Sequence, residues 1–175
     1  MAKPTQRQRR FVNARTNTKK KLSLMIFGAA SAACLGMSAE AAPRIDHISG
    51  SDLLCLALNV YHEARNQSWE GQMAVAHVTL NRLDMKRFPT VCDVVFRDGY
   101  FSWTKDQQKV NKWPTDKAAW ETAQRAARTA LVDPAADPVK GSTYFHAASM
   151  TPDWAPGMVR VAQIGDHVFY RIRAQ

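Results

Sequence analysis

Residues 54–65 read LCLALNVYHEAR, a run without glycine or proline that is typical of a helix interior. The preceding residues 49–52, Ser-Gly-Ser-Asp, are good helix caps, and Asn66 suits a left-handed turn after the helix. Apolar residues recur every three or four positions, at Leu53, Leu56, Ala57, Val60 and Ala64. The sequence therefore predicts a first helix over residues 53–65 with one face in a core.

Two further long helices and one short helix follow in the sequence. We predict them over residues 69–86, 90–96 and 115–131, from cap residues, apolar spacing and the Asp133-Pro134 stop. Residues 97–112 lose this periodicity and concentrate glycine and aromatic residues, which indicates a loop that lines a cleft.

The last part of the chain changes to a strand pattern. Residues 158–164 and 167–172 are predicted strands around Gly165-Asp166, a two-residue turn of the kind that joins tight hairpins. The expected fold class is α+β and mainly helical, as a single domain with a small C-terminal β-hairpin.

The positive charge of the chain lies mostly at its N-terminus. Residues 1–41 hold eight of the 24 Lys and Arg residues and one of the 15 acids, so residues 42–175 carry only +2 of the net +9. A basic stretch, an apolar run over residues 22–37 and the small pair Ala39 and Ala41 form the pattern of a secretory signal peptide. We predict a signal peptide with a basic extension over 1–41 and a catalytic domain over 42–175.

This arrangement sets the expected location and partners. Cleavage before Ala42 would release a periplasmic or secreted protein that contacts a membrane only transiently, through its signal segment. The nearly balanced charge of the remaining chain argues against nucleic acid as a partner. We expect a monomer.

The number of cysteines left after removal of the signal peptide agrees with export. Cys34 lies in the predicted signal peptide, which leaves Cys55 and Cys92 as an even pair in an oxidising compartment. We predict a disulfide between them.

Glu63 is the candidate general acid. On a helix, Asn59 and Val60 lie on the same face as Glu63, so its carboxyl should point toward the core side. Burial disfavours the charged form and raises a carboxyl pKa, which suits proton donation near neutral pH. The alternative is a structural glutamate tied to Arg65, Arg82 or a backbone amide.

Nine segments carry a family resemblance, in chain order. They are LCLALNVYHEAR (54–65), EGQMAVA (70–76), LNR (80–82), FP (88–89), VCDVV (91–95), FSW (101–103), YFH (144–146), WA (154–155) and VAQIGDHVFY (161–170). Together they resemble the SleB/CwlJ-type cell-wall hydrolases. The resemblance implies a lysozyme-like fold, peptidoglycan glycan strands as substrate, Glu63 as catalytic acid, and neither metal nor cofactor. The chain departs from the family pattern at Asn66, usually Gly, and at Tyr100, usually Gln.

Further residues are candidates for contact with the substrate. Aromatic side chains stack on sugars and polar ones bond hydroxyl or acetamido groups, the mixture expected of a ligand cleft. The substrate-binding candidates are Tyr61, Gln72, Asn81, Phe101, Ser102, Trp103, His146 and Tyr170.

Several mechanisms remain open at this point. No second carboxylate is evident, and a single acid suffices for a lytic transglycosylase, so we favour that reaction over a two-carboxylate muramidase. A cysteine amidase or peptidase using Cys55 and His146 is the enzyme alternative, and a non-catalytic glycan-binding module is the other. A zinc-protease helix is excluded because Asn66 stands where its second His is needed.

Overall fold

The computed structural model describes residues 48–173. The predicted signal peptide and its cleavage site before Ala42 lie outside this range. The helices are α1 (Gly50–Ala64), α2 (Trp69–Asp84), α3 (Val91–Val95), α4 (Gln107–Asn111) and α5 (Lys117–Val132), and the strands are β1 (Tyr144–Ala147), β2 (Val159–Ile164) and β3 (His167–Arg171). Single 3-10 turns cover Ser102–Lys105, Pro134–Ala136 and Ala155–Gly157. No helix within residues 48–173 is long and apolar enough to cross a membrane.

α1 begins one turn earlier than predicted because its cap is a reciprocal pair. The Asp52 N–H donates to Ser49 Oγ at 3.1 Å, and the Ser49 N–H donates to Asp52 Oδ2 at 3.3 Å. The other oxygen, Oδ1 of Asp52, accepts the backbone N–H of Cys92 at 3.1 Å. The capping carboxylate therefore also fixes the start of α3.

A disulfide joins the same two helices. Cys55 and Cys92 are bonded, with their Cα atoms 5.3 Å apart and a sequence separation of 37. This is the predicted pairing. Closing a loop of this length in the unfolded chain corresponds to about 4 kcal/mol of stabilisation in the chain-entropy treatment. The loop contains Glu63, so the bond holds the helix that carries it.

The core lies where α1, α2 and α5 pack together. α5 contributes small residues to this contact, and Ala123, Ala126, Ala127 and Ala130 are all fully buried. α1 and α2 supply larger side chains, among them Leu56, Val60, Val75 and Leu80. The tight helical core gives α1 and its last turn a rigid base.

The sheet has three strands rather than the predicted two. Its order is β1-β3-β2 with both pairings antiparallel, and Tyr144 of β1 lies opposite Tyr170 of β3. The β2–β3 hairpin is as predicted, with Gly165 at φ 54° in its turn. β1 was not predicted because it is only four residues long and pairs with β3, which is not the next strand along the chain.

Gln67 joins the α1–α2 turn to the β2–β3 turn. Its Nε2 donates to Asp166 Oδ2 at 2.9 Å, and the Asp166 N–H donates back to Gln67 Oε1 at 3.1 Å. A Cβ at Gly165 would collide with the same Gln67 oxygen. The pair brings the end of the Glu63 helix against the last hairpin.

Candidate active site

Glu63 lies in the last turn of α1, half-buried between cations. Burial raises the pKa of its carboxyl from 4.5 to about 6, while Arg82 and Lys109 oppose the rise. Within residues 48–173 its carboxyl makes no hydrogen bond or salt bridge, so the structural tie considered from the sequence is not present there. The side chain is a desolvated acid with free oxygens, the state that suits proton donation.

Arg82 provides a fixed charge beside Glu63. It is buried, donates from Nε to the Thr143 carbonyl at 2.7 Å and from Nη1 to the Tyr100 carbonyl at 3.5 Å. Its guanidinium also lies 4.5 Å from the ring centre of Tyr100 and 4.8 Å from that of Phe101. Burial lowers the pKa of Arg82 to about 10, which still leaves it cationic at neutral pH. Tyr100 is one of the two departures from the family pattern. Its ring packs against the Arg82 guanidinium.

The residue before Glu63 belongs to a stacked ring pair. The imidazole of His62 lies 4.3 Å from the ring of Trp103, at 19° between planes. The Trp103 indole N–H donates to Asn59 Oδ1 at 2.8 Å, and Asn59 Nδ2 donates to Thr79 Oγ1 at 3.0 Å. The contacts thus link the half-buried His62, through Trp103 and Asn59, to the buried Thr79 of α2.

His62 is neutral in this setting. Burial, Arg65 and Lys109 together lower its pKa to about 4. Its Nε2 is buried without a hydrogen-bond partner within residues 48–173. An uncharged imidazole cannot donate a proton as an acid near pH 7, so His62 is not a candidate for that role.

The aromatic candidates from the sequence are placed inside the protein. Exposure is only 4% for Tyr61, 2% for Phe101, 3% for Trp103 and 8% for Tyr170. Their burial argues against the predicted stacking on sugars, because the rings pack against side chains of the protein itself. The sequence shows aromatic content in a loop but not the direction in which each ring points.

Two of the polar candidates have structural contacts. Asn81 Nδ2 donates to Asp137 Oδ2 at 3.0 Å and to the Ser142 carbonyl at 3.2 Å, which ties α2 to the segment before β1. Gln72 Nε2 donates to the Gln67 carbonyl at 3.2 Å, while its buried Oε1 has no partner within residues 48–173. The amide of Asn81 is therefore committed, and Gln72 keeps a free acceptor.

His146 and Ser102 differ in exposure. The ring nitrogens of His146 lie 3.1 Å from the Tyr170 hydroxyl and 2.9 Å from the Ala147 carbonyl, and the residue is buried. Ser102 is exposed at the start of its 3-10 turn and remains a predicted substrate contact. The cysteine alternative loses support, since the sulfur of Cys55 is bonded in the disulfide.

A pocket at the end of α1 was not predicted. A cavity of about 480 Å³ lies between the end of α1, α4 and residues 112–116. We call it the basic pocket, since its lining includes three cations (Arg65, Lys109 and Lys112) and two acids (Asp106 and Asp116), with the rings of Tyr61, His62 and Trp113. Two lysines and a tryptophan within residues 109–113 were a signal in the sequence, but α4, which carries Lys109 and ends just before Lys112, was interpreted as loop.

Within the described part of the chain no group of three or more His, Cys, Asp or Glu residues is arranged to hold a metal ion.

Comparison with known proteins identifies the family. The sequence profile described as cell wall hydrolase matches residues 66–170, which is more than half of the chain. The chain belongs to the cell wall hydrolase family. The matched range begins at residue 66, so it does not include Glu63. The interest in Glu63 therefore rests on the environment of its carboxyl in the structure.

Curated relatives of this cell wall hydrolase are spore cortex-lytic enzymes. The protein of Bacillus subtilis (strain 168) is 36% identical over 124 residues, which is 69% of this chain and 38% of the relative. The protein of Halalkalibacterium halodurans is 37% identical over 123 residues, covering 69% of this chain and 35% of the relative. The chain thus spans little more than a third of the length of these relatives.

Two solved structures share the fold of this cell wall hydrolase. The catalytic domain of the Bacillus cereus SleB protein is 28% identical with a TM-score of 0.61, and the match covers 77% of this chain and 100% of that one. The catalytic domain of the germination-specific lytic transglycosylase SleB from Bacillus anthracis is 30% identical with a TM-score of 0.59, covering 70% and 96%. The fold is that of a SleB catalytic domain, and the expected mainly helical α+β class is confirmed.

Proposed function

We propose that this protein is a peptidoglycan-cleaving glycosidase that acts on the glycan strand as a lytic transglycosylase, with Glu63 as general acid and then base. The observation that carries the proposal is the state of Glu63, a half-buried carboxyl with a pKa of about 6 and no internal partner within residues 48–173. Near neutral pH such a group is protonated much more often than an ordinary carboxyl, and it can give up this proton in the transition state.

The relatives support the chemistry. Those closely matched by sequence are named spore cortex-lytic enzymes, and one solved neighbour is described as a lytic transglycosylase. These activities belong to longer proteins or to other chains, so for this chain they are part of the proposal.

The reaction balances without water. The Glu63 proton passes to the glycosidic oxygen as the bond from that oxygen to C1 of muramic acid breaks. The 6-hydroxyl oxygen of the same muramic acid bonds to C1, and its proton returns to the Glu63 carboxylate. The products are an anhydro-muramic end and a free hydroxyl on the leaving sugar, and Glu63 ends protonated as it began.

The electrostatics favour this reaction over one that uses two carboxylates. A retaining glycosidase places its two carboxyl groups about 5 Å apart, where each would raise the pKa of the other. Among residues 48–173, no carboxylate contributes to the pKa of Glu63, which responds to burial, Arg82 and Lys109. A nucleophile supplied by the substrate fits this environment.

Product mass is the direct test. Purified sacculi are digested and the soluble fragments are weighed. Anhydro ends, one water lighter than hydrated reducing ends, are expected. Hydrated ends would replace the proposal with a muramidase, cleaved peptides with an amidase, and binding without release of fragments with a glycan-binding module.

We also propose that the protein works outside the cytoplasm. A disulfide such as Cys55–Cys92 forms and persists in an oxidising compartment, and peptidoglycan lies in that compartment. Intact-mass measurement of the exported protein tests this, with an N-terminus at Ala42 as the expected result.

A further inference from the structure

Trp103 is held inside the protein by three contacts. It is 3% exposed, and its indole N–H donates to Asn59 Oδ1 at 2.8 Å. One face of the ring stacks on His62 with the ring centres 4.3 Å apart, and Phe96 makes an edge contact at 5.8 Å. With these contacts in place the ring is not free to turn toward a sugar, so its place against α1 serves another purpose.

The anchor of the indole reaches into the core. Asn59 is fully buried, and its Nδ2 donates to Thr79 Oγ1 at 3.0 Å. The Thr79 hydroxyl in turn donates to the Val75 carbonyl at 3.0 Å. Because a buried amide that loses a partner is costly, this chain of hydrogen bonds keeps the indole in one position relative to α1 and α2.

Helix geometry brings the Glu63 side chain to the same turn of α1. The Cα–Cβ bonds of a helix tilt toward its N-terminus, so a side chain lies over the turn that precedes it. For Glu63 that turn holds Asn59 and Val60, which are both fully buried. Side chains four residues apart begin only about 5 to 6 Å from each other. The Glu63 carboxyl and the indole bound to Asn59 therefore lie over the same part of the helix.

The cover over Glu63 must come from another element. α1 ends at Ala64, so no later turn of the same helix packs over the carboxyl. The charged groups that act on it are Arg82 of α2 and Lys109 of α4, and both lower its pKa. The neighbouring His62 is neutral, with a pKa of about 4. Exclusion of water, and not charge, is thus what raises the pKa of Glu63.

We propose that Trp103 is a positioning residue that shields the Glu63 carboxyl from water, with Asn59 as the anchor that keeps the indole in place. An indole suits this task because its faces are large and apolar, and its single N–H is already used by Asn59. The shield keeps the carboxyl protonated to higher pH than an exposed one. This inference rests on the proposed role of Glu63 as general acid and adds the residue that prepares it for that role.

The first test is the pH profile of kcat/KM on sacculi, which reports titration of the free enzyme. Trp103→Ala admits water, so the alkaline limb should move down by about one pH unit as the pKa of Glu63 falls from about 6 toward 4.5. The loss of activity should then be about tenfold at pH 7 but only about twofold at pH 5. Trp103→Phe retains an apolar ring and should move the limb less.

Trp120→Ala is the matched control. Trp120 is half-buried and also packs on α1, through an edge contact with Tyr61 at 6.1 Å. Its other ring contact is with Trp113, and not with His62. The control should therefore leave the alkaline limb in place.

The second test needs neither activity nor a change at Trp103. In isotope-labelled wild-type protein, the indole N–H resonance of Trp103 should shift with a midpoint near pH 6, and this transition should vanish in Glu63→Gln. Titration of the stacked His62 is centred near pH 4, so it appears as a separate step.

Three results would overturn the inference. Equal fractional losses at pH 5 and pH 7 in Trp103→Ala would give the indole a structural role alone. A limb that moves as far in Trp120→Ala would mean that loosening of α1 is sufficient. A Trp103 resonance without the pH 6 transition would place the indole away from Glu63, and this measurement decides if the Trp103 variants fail to fold. Wild-type protein that cleaves no glycan would refute the proposed function, whereas the resonance would still test the shield.

Discussion

Replacing Glu63 with glutamine should separate catalysis from stability. The amide matches the carboxyl in size but cannot donate the proton, so activity on sacculi should fall by at least about 10²-fold. Stability should move in the opposite direction. A pKa raised from 4.5 to about 6 means that ionising Glu63 costs the fold up to about 2 kcal/mol, an upper figure because the group is partly solvated.

The sign of this effect depends on pH. Below about pH 4.5 the carboxyl is protonated in both the folded and the unfolded chain, so Glu63→Gln and the wild type should have similar stability. Between about pH 4.5 and 6 the unfolded chain ionises first, so the wild type loses stability that the variant keeps. Above pH 6 the variant should melt a few degrees higher.

The assay is thermal unfolding at several pH values together with release of soluble fragments from sacculi. Glu121→Gln is the matched control, the same chemical change at an exposed position of α5, and it should alter neither measurement much. A Glu63→Gln protein that cleaves sacculi at near the wild-type rate would refute the assignment of the acid. A variant that is less stable than the wild type at pH 7 would show that the carboxylate stabilises the fold.

Three shorter predictions follow from other contacts. Arg82→Gln should raise the pKa of Glu63 above about 6, because Arg82 lowers it. The alkaline limb of the kcat–pH profile should then move to higher pH, and Arg82→Lys should partly restore its position. An alkaline limb that does not move would contradict this prediction. Cys55→Ser should cost about 4 kcal/mol in denaturant unfolding yet retain sacculus cleavage where folded, whereas loss of cleavage in folded protein would revive the cysteine mechanism. Gln67→Ala should cost about 1 to 2 kcal/mol, measured by urea unfolding, and an unchanged midpoint would mean that its two bonds to the last turn contribute nothing.

Local patterns predicted the helical part of the fold well. α1 and α2 were expected over residues 53–65 and 69–86 and are found at Gly50–Ala64 and Trp69–Asp84. Caps and apolar spacing are encoded within a few residues, so the sequence shows them directly. β1 and α4 were missed because they are only four and five residues long. Segments this short show too little periodicity to be recognised from the sequence.

The site was predictable where it depends on one helix. The desolvation of Glu63 followed from its place on α1, and the structure adds the opposing charges of Arg82 and Lys109, which come from other elements. The direction of Phe101 and Trp103 did not follow, because burial of an aromatic ring is decided by packing between distant segments. The basic pocket was missed for the same reason.

The bonds between Gln67 and Asp166 connect positions 99 residues apart. During synthesis, the helix with Glu63 leaves the ribosome long before the hairpin that contacts its end. Contacts of such long sequence separation pay a large loop-closure entropy and form slowly. The contact between the α1–α2 turn and the last hairpin is therefore a late product of folding, and a nascent chain that stops short of Asp166 carries Glu63 without this contact.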